Sequence, residues 1–260
     1  MSVEVLVAAM NQYDHLLIDK MNIKTDAIVG NQCSFDSIER FQKNGHKYIY
    51  INCNEQGVGQ NRNNSLIRAS ADICLFADDD MVFYDGYEKI VEKTFIDIPE
   101  ADVIIFNINE DKKERYSITK TSRVRWYNYL RYGIARVAIR LNSVRMNNIF
   151  FNQMFGGGCK YMHGEDNIFL NNCLKCGLKI YAVPYVLAEL KNDRPSTWNR
   201  GYNDKYLNDQ GVLYYVLSKK WWRLLCMQDA IRRAKKHYKI SIIESYKIMI
   251  NSVIEYKKYG

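Results

Sequence analysis

Several features of secreted and membrane-spanning proteins are missing from the sequence. No apolar run approaches the roughly 20 residues that a membrane-spanning helix needs. The apolar opening run, residues 3–10, lacks the charged leader and the cleavage site of a signal peptide. The 7 cysteines are scattered along the chain and odd in number, which is not typical of a disulfide framework. We therefore expect a cytoplasmic protein that does not span a membrane.

Proline is scarce as well, at 3 residues, and the chain contains no internal repeat or low-complexity segment. Its 260 residues are 47% hydrophobic and 25% charged, which is typical of a folded protein with a large core. Tyrosine is abundant, at 20 residues, and the net charge is +8. This charge favours a polyanionic partner, such as nucleic acid, anionic lipid or a phosphate-bearing substrate.

Residues 3–109 alternate short apolar runs with longer amphipathic segments. Five apolar runs are typical of buried strands: residues 3–7, 27–29, 48–51, 73–76 and 103–106. Residues 61–71 and 86–95 have helical patterns. The alternation predicts an α/β fold with a mainly parallel central sheet flanked by helices, in which ligands bind at the carboxyl ends of the strands.

The rest of the chain is less regular. Residues 109–125 are polar and predict a surface connection, whereas residues 133–155 alternate like antiparallel strands. A glycine-rich loop, a helix and a strand are expected at residues 155–158, 167–176 and 179–183. We expect Gly177 to end the helix and Pro184 to close the strand.

Three consecutive aspartates, Asp78, Asp79 and Asp80, come directly after the predicted strand of residues 73–76. Their mutual repulsion is easiest to explain if a divalent cation offsets it. Such a cation bridges diphosphate oxygens and neutralises the leaving group when a nucleotide diphosphate is displaced. A solvated acidic turn that caps the following helix explains the triplet equally well.

Upstream, residues 55–64 combine glycines, amides and Arg62 at the start of a predicted helix. Backbone N–H groups at a helix start can receive an anion. The segment is not the phosphate loop of kinases or ATPases, because the lysine and the hydroxyl of that motif are missing. Taken alone, it fits an ordinary loop.

The two segments together resemble the core of glycosyltransferase family two, whose members have the Rossmann-like GT-A fold. The resemblance lies in residues 55–66, EQGVGQNRNNSL, and residues 71–80, ADICLFADDD. The family pattern leads from a Gly-x-Ser-x-x-Arg-Asn helix start through an apolar strand into an Asp-x-Asp metal motif. Gly59 stands where the serine is usual. Downstream, residues 155–158 and 164–169 resemble the acceptor loop and the Gly-Glu-Asp motif of the same family.

This resemblance implies an inverting transfer of a sugar from a nucleotide diphosphate donor to a hydroxyl of a glycan or lipid-linked acceptor. The expected setting is bacterial capsule, lipopolysaccharide or exopolysaccharide synthesis. It also implies a GT-A domain at residues 1–204, with a nucleotide-sugar half at 1–110 and an acceptor half at 111–204. Beyond Asp204 the sequence pattern is mostly helical, so residues 205–260 are expected to form a helical C-terminal extension.

The resemblance assigns roles to single residues. Asp78 would contact the donor ribose beside Asp79, and Asp80, with Asp78, would bind Mn²⁺ or Mg²⁺. Arg62 would contact the nucleotide. Asp166 would be the catalytic base and Glu165 would position the acceptor, and the reverse assignment remains open. Without the upstream motif, Glu165 and Asp166 also fit a helix N-terminus that favours acidic residues.

The chain departs from the family pattern after its first two strands. Residues 8–11, AAMN, replace the usual Pro-Thr-Tyr-Asn, and residues 29–32, VGNQ, replace Asp-Asp-Gly-Ser. The amides of Asn31 and Gln32 present a donor and an acceptor, so they can still read a nucleotide base edge. No histidine lies between Pro184 and Tyr206, where many relatives have a metal or phosphate ligand. Residues 194–198 are expected to border the donor instead.

A zinc site is a competing interpretation, because Cys159, His163, Cys173 and Cys176 are four potential ligands. Helical spacing instead puts Cys173 and Cys176 on one face with Phe169, where free cysteines pack as small apolar residues.

The tail is basic. Residues 219–239 contain eight lysines and arginines but one acidic residue, Asp229, and they include Trp221 and Trp222. A basic helix with tryptophan on its apolar side suits an anionic membrane surface, so this tail is a candidate for docking on the inner face of the plasma membrane. We expect Trp222 to take part. A packed helix with a solvated basic face is the alternative.

Two other functions fit parts of the sequence. A sugar-phosphate nucleotidyltransferase also uses an α/β sheet, aspartates and a metal, but its first loop is rich in glycine and lysine, unlike residues 8–12. A nucleic-acid-binding module fits the net charge and the aromatic residues. The basic residues, however, concentrate in the tail, away from the acidic cluster, so we expect no nucleic-acid partner.

Overall fold

The computed structural model describes residues 1–110, 116–191 and 201–259, without the side chain of the last residue. The predicted donor segment at 194–198 therefore lies outside the described residues. The strands are β1 (Val3–Met10), β2 (Asp26–Gln32), β3 (Ser37–Lys43), β4 (His46–Cys53), β5 (Ile73–Asp78), β6 (Met81–Phe83), β7 (Val103–Asn109), β8 (Ser122–Val124), β9 (Val137–Arg140) and β10 (Ile180–Leu190).

The described α-helices are α1 (Leu17–Lys20), α2 (Val58–Arg68), α3 (Tyr87–Asp97), α4 (Leu141–Met146), α5 (Glu165–Lys175), α6 (Asp204–Leu217), α7 (Trp222–Arg233) and α8 (Ile242–Tyr259). A 3₁₀ turn, Tyr129–Arg131, precedes β9, and a π-helical turn, Ala234–Tyr238, follows α7. Among the residues that the structure describes, none of the helices is both long and apolar enough to span a membrane.

One ten-stranded sheet organises the molecule, in the order β3-β4-β2-β1-β5-β9-β7-β10-β6, with β8 paired to β10. Strands β4, β2, β1 and β5 are parallel to one another. Because β5 and β7 both pair antiparallel with β9, β7 and its parallel neighbour β10 also point in this direction. The predicted α/β fold with its mainly parallel sheet is confirmed.

Side-chain alternation divides the core between the two faces of the sheet. In β1, Val5 and Val7 belong to the core that packs α1 and α3, whereas Leu6 belongs to the core that packs α2, α4 and α5. In β5, Leu75 and Phe76 alternate in the same way. Successive side chains of a strand point to opposite faces, so continuous apolar runs are what a sheet covered on both sides requires.

The structure corrects three details of the expected order. A hairpin adds β3 at the sheet edge, where most side chains are exposed and the sequence is too polar for a buried strand. Its turn, Asn44 and Gly45, has positive φ at both residues, and Asn-Gly is a frequent hairpin turn. Residues 133–155 contain only β9 as a strand and then form α4. Pro184 does not end β10, because a register shift between Ala182 and Val186 accommodates it.

The C-terminal helices form a third core. Side chains of α6, α7 and α8 pack together with Phe155, Tyr161 and Ile168. Trp222 is 4% exposed within this core, whereas Trp221 is 56% exposed. The expectation that Trp222 reaches a membrane is therefore wrong, since its indole faces the protein.

This packing generates a prediction for two adjacent tryptophans. Trp222→Ala is expected to lower the free energy of unfolding by about 3–5 kcal/mol, because it removes a buried indole and leaves a cavity. Trp221→Ala is expected to change it by less than about 0.5 kcal/mol, because that side chain is already in water. Urea unfolding followed by circular dichroism measures both variants. Equal losses would show that α7 packs through a different face.

Candidate active site

The candidate active site lies at the carboxyl ends of the parallel strands. The chain moves outward from β1 through β2 to β4 and then returns, so that β5 pairs with the other side of β1. Ligands of such sheets bind where the strand order reverses. Asp78 is the last residue of β5, opposite Ala8 of β1, and Asp79 and Asp80 follow in the turn to β6. The aspartate triplet thus lies at the strand end that the sequence predicts.

One buried arginine joins the two sequence motifs. The Arg62 side chain is 6% exposed, and its Nη2 donates to Asp78 Oδ1 at 2.9 Å. Its Nη1 donates to Glu165 Oε1 at 3.1 Å and to Asp166 Oδ1 at 3.2 Å. The guanidinium carbon lies 5.5 Å from the centre of the Phe151 ring. Arg62 therefore holds the end of β5 next to the carboxylate pair that begins α5.

In this arrangement Arg62 binds side chains of the protein itself, and its contact with the nucleotide stays a prediction. The guanidinium is buried and is engaged by three carboxylates of the protein itself. A planar guanidinium has donors on several sides, which lets one residue bind several carboxylates at once. We therefore describe Arg62 as a positioning residue for those carboxylates.

Two asparagines fix Arg62 by tying its helix to neighbouring segments. Asn61 Nδ2 donates to the Gly30 carbonyl at 2.7 Å. Asn63 Nδ2 donates to the Phe151 carbonyl at 2.9 Å, and the Phe151 N–H donates back to Asn63 Oδ1 at 2.8 Å. A Cβ on Gly30 would stand 2.5 Å from Asn61 Oδ1, so glycine permits this close approach of α2 to β2. The helix is buried through polar residues because each bonds to a specific partner.

The glycine-rich loop packs against the carboxylate of Glu165. Gly156 has a φ of +107°, and a Cβ on it would lie 2.8 Å from the Glu165 Cδ and 2.6 Å from Val58 Cγ1. The Val58 N–H, at the start of α2, donates to the Gly157 carbonyl at 3.0 Å. The loop that the resemblance links to the acceptor therefore contacts both motifs.

Asp166 is held from a second side by the backbone. The Ile134 N–H donates to Asp166 Oδ2 at 3.1 Å. A Cβ on Gly133 would lie 3.3 Å from this same oxygen. The Asp166 side chain is 28% exposed, compared with 13% for Glu165. Asp166 is thus the more accessible member of the carboxylate pair.

The site contains three carboxyl groups, those of Asp78, Glu165 and Asp166, around the one positive charge of Arg62. Burial alone would lower the pKa of Arg62, but Asp78, Asp166 and Glu165 together raise it above its ordinary value. For Glu165, burial raises the pKa most, and the Asp166 charge and a hydrogen bond between the two carboxyl groups raise it further, against the opposing effect of Arg62. The pair therefore keeps a proton at a higher pH than an exposed carboxylate does.

The other two aspartates face different partners. Asp79 Oδ2 accepts from the Met10 N–H at 3.2 Å and from Gln12 Nε2 at 3.5 Å. The Asp80 carbonyl accepts from the Lys191 N–H at 2.8 Å, which ties the turn to the end of β10. The turn is thus fixed between the ends of two strands.

Carboxylate oxygens are the ligands that Mg²⁺ and Mn²⁺ prefer, so the chemistry of Asp78 and Asp80 fits such an ion. The Asp78 side chain is 35% exposed, with Oδ1 engaged by Arg62. In residues 1–110, 116–191 and 201–259, no three His, Cys, Asp or Glu side chains are grouped to hold a metal.

Asn31 and Gln32, the two amides expected to contact a nucleotide base, form hydrogen bonds within the protein. Asn31 is fully buried, with Oδ1 accepting from the Gln12 N–H at 2.9 Å and Nδ2 donating to the Gln12 carbonyl and to Asn52 Oδ1, both at 2.7 Å. A base contact by Asn31 would have to break these bonds. Gln32 Oε1 accepts from the Gly57 N–H at 3.1 Å, and its contact with a nucleotide stays a prediction.

The four candidate zinc ligands lie in different surroundings. Cys173 is buried in the core of the sheet face that packs α5, and Cys176 is exposed. His163 stacks on Tyr206 of α6 at 4.3 Å between ring centres, and its Nε2 pairs with Gln210 Oε1 at 3.0 Å. The structure does not bring these side chains together as a zinc site, since its described part has no such group of three ligands.

Sequence reasoning missed Gln12, Gly133 and Ile134. Gln12 connects the ends of β1, β2 and β5, and the Ile134 N–H fixes Asp166. The signal for Gly133 was a single glycine after an aromatic stretch, which can mark a close approach of backbone to another group. A backbone N–H leaves no trace in the identity of its residue, so Ile134 had no signal.

Comparisons with known proteins identify the family and the fold of the chain. The sequence model described as Glycosyl transferase family 2 matches residues 30–160, half of the chain. No curated protein sequence matches the chain. The crystal structure of S. aureus TarS 1-349 in complex with UDP-GlcNAc superposes with a TM-score of 0.67 at 15% identity, over 97% of this chain and 79% of that one.

A crystal structure of a longer S. aureus TarS chain gives a TM-score of 0.62 at 15% identity, over 92% of this chain and 44% of that chain. This chain therefore spans less than half of that TarS chain. Likeness at this identity shows the fold, and it confirms the expected GT-A architecture.

The raised pKa of Glu165 predicts a pH-dependent stability. Between its unfolded and folded pKa values the folded protein binds more protons, so stability falls as the pH rises through this interval. Glu165→Gln keeps an acceptor for Arg62 without the charge. The substitution is expected to raise the Tm at neutral pH, by about 2–4 °C for each kcal/mol gained in the free energy of unfolding. This increase should disappear below about pH 4, where the glutamate of the wild type is protonated in both the folded and the unfolded state.

Thermal unfolding at neutral and acidic pH measures this difference. The matched control is Glu255→Gln, which changes an exposed carboxylate on α8 and is expected to leave the Tm nearly unchanged at both pH values. A Glu165→Gln gain that persisted unchanged at acidic pH would assign the effect to packing instead of ionisation.

Proposed function

The chain belongs to glycosyl transferase family 2 and is a glycosyltransferase, and we propose that it inverts the anomeric carbon of a nucleotide diphosphate sugar as a metal-dependent enzyme. The observation that carries the proposal is the contact of Arg62 with Asp78 on one side and with Glu165 and Asp166 on the other. A single displacement needs the donor site and the base in one place. Because the chain belongs to this family, we no longer consider the alternative of a sugar-phosphate nucleotidyltransferase.

Asp80 and Asp78 would hold Mn²⁺ or Mg²⁺, and Asp79 would contact the donor beside them, at the end of β5. When bound, such an ion neutralises the charge on the departing nucleotide diphosphate. These ions need only one or two protein carboxylates when diphosphate oxygens and water complete the coordination. In the protein, a hydrogen bond from Arg62 holds Asp78 at the carboxyl end of β5, and a hydrogen bond from Gln12 holds Asp79 next to it.

Asp166 is the proposed base. It accepts the proton of the acceptor hydroxyl as the oxygen bonds to the anomeric carbon and the bond from that carbon to the diphosphate breaks. Its greater exposure within the pair, 28% against 13%, supports this choice over Glu165. Glu165, whose own pKa is raised by burial and by the Asp166 charge, lies beside Gly156 and is proposed to position the acceptor.

The donor to test first is UDP-GlcNAc, because the TarS structure that resembles this chain is a complex with it. For the acceptor, we propose a hydroxyl of a glycan or a lipid-linked oligosaccharide in bacterial surface polysaccharide synthesis. We place the reaction in the cytoplasm, which the seven cysteines support, because all of them are free thiols.

Thermal stabilisation tests donor and metal together. UDP-GlcNAc and other UDP-, GDP- and dTDP-sugars are added with and without Mn²⁺, and one nucleotide class is expected to raise the Tm only when the metal is present, because a ligand that binds the folded state stabilises it. Asp80→Ala is expected to abolish this increase. Asp97→Ala, which removes an exposed carboxylate paired with Lys93, is the matched control and should keep it.

A Tm that no nucleotide sugar raises, with or without metal, would contradict the donor proposal. Equal stabilisation of the wild type with and without Mn²⁺ would leave a glycosyltransferase but contradict its metal dependence.

The assignment of the base is tested with the stabilising donor and with water as acceptor. Asp166→Asn is expected to slow release of the nucleotide diphosphate by about 10²–10⁴-fold, the usual contribution of a general base, while the ligand-dependent increase in Tm is retained. Glu165→Gln is expected to cost less. The opposite ranking of the two variants would make Glu165 the base.

A further inference from the structure

One side of α7 and its preceding residue carries large apolar side chains that the protein does not cover. Trp221, Leu224 and Ile231 are 56%, 61% and 62% exposed, and Met227 is 37% exposed. These positions are three or four residues apart, so they lie along one face of a helix. We call these four residues the α7 stripe. A contiguous exposed apolar surface of this kind usually meets a partner.

The orientation of the stripe is fixed by the opposite face of the same helix. Trp222, Cys226 and Ala230 are buried in the third core, against α6 and α8. The Trp222 ring packs edge-on against Tyr215 of α6, with ring centres 6.0 Å apart. The stripe therefore cannot turn inward without loss of this core.

Basic side chains flank the stripe. Arg223, Arg232, Lys235 and Lys236 are exposed around it, and Lys220 Nζ lies 5.1 Å from the centre of the Trp221 ring. The acidic residue of this segment, Asp229, is buried, and its carboxylate binds Arg233 at 3.2 Å and Tyr238 Oη at 2.6 Å. Its charge is therefore held inside, and the surface around the stripe is positive.

We propose that the α7 stripe docks the protein on an anionic lipid membrane surface, with the helix lying in the interface. Apolar side chains on one face and basic residues at its borders are what such a surface recognises, since the former enter the acyl boundary and the latter meet lipid phosphates. An indole at the end of the stripe suits the headgroup level. This docking does not depend on the proposed reaction.

Other occupants match the surface less well. A second copy of the chain would bring the same basic borders together, which like charges oppose. A nucleic acid would bind the basic residues but would leave Leu224 and Ile231 in water. Only a surface that is both apolar and anionic uses the stripe and its borders together.

Docking would also fix the direction in which the active site faces. Helix α6, which packs against α7, holds the segment before Glu165, because Asp209 Oδ2 accepts from the Met162 N–H at 2.8 Å. If α7 lies on the membrane, the candidate active site is therefore held at a fixed distance from the lipid surface. This consequence for a lipid-linked acceptor rests on the proposed function, whereas the docking itself does not.

Vesicle sedimentation with the full chain tests the proposal. The wild type is expected to sediment with vesicles containing phosphatidylglycerol and to stay in solution with vesicles of phosphatidylcholine alone. Ile231→Ser with Leu224→Ser is expected to reduce partitioning at least about tenfold, and Arg232→Glu with Lys236→Glu is expected to do the same. Ile96→Ser is the matched control, because Ile96 is 60% exposed on α3 and should not affect binding.

Tryptophan fluorescence provides a second measurement. Anionic vesicles are expected to shift the emission of the wild type to shorter wavelength as Trp221 leaves water. Trp221→Phe is expected to lose this shift, and Trp126→Phe is expected to keep it, since Trp126 is 78% exposed outside the stripe. Both variants change exposed side chains, and an unchanged Tm verifies that they fold.

The proposal is overturned if the stripe variant sediments as well as the wild type, or if phosphatidylcholine vesicles bind equally well. Two further results would overturn it. In the first, DNA binds as tightly as vesicles, and the double variant Ile231→Ser with Leu224→Ser binds DNA as well as the wild type. In the second, the wild type is a dimer without lipid and the same double variant is a monomer. A glycosyltransferase that remains active in any of these cases would leave the proposed function intact.

Discussion

The site depends on one buried guanidinium that binds three carboxylates. Taking Arg62 out of water is costly unless it is paired, and its contacts with Asp78, Glu165 and Asp166 offset that cost. Because three carboxylates face one guanidinium, negative charge is in excess where the carboxyl end of β5, α2 and α5 meet. An excess of this kind destabilises the fold but provides proton affinity and oxygen ligands, which is the usual conflict between stability and function at an active site.

Much of the fold was predictable because its signals are local. Five apolar runs gave β1, β2, β4, β5 and β7 in order, and the aspartate triplet is at the end of β5. The edge strand β3 was missed because exposed strands need no apolar pattern, although Asn44 and Gly45 marked its turn. Alternation at 133–155 was mistaken for strands, since short apolar segments fit both helices and strands.

The contacts within the site were less predictable than its members. Glu165, Asp166 and Asp78 were all identified from motifs, but the sequence could not show that Arg62 would bind them, because such pairing depends on how distant segments fold together. The same limit explains Asn31, whose amide suits a base edge in isolation but is used by Gln12 and Asn52. Motifs identify chemistry, whereas burial decides which partner receives each hydrogen bond.

The C-terminal helices are part of this arrangement instead of an independent tail. Phe155 belongs to the glycine-rich loop and Ile168 to the first turn of α5, yet both are buried in the third core, which α6, α7 and α8 complete. Residues on both sides of the predicted boundary at residue 204 therefore contribute to one core, and the boundary itself stays a prediction. Because α6 also binds the backbone before Glu165, the helices that expose an apolar stripe on one side support the carboxylates on the other.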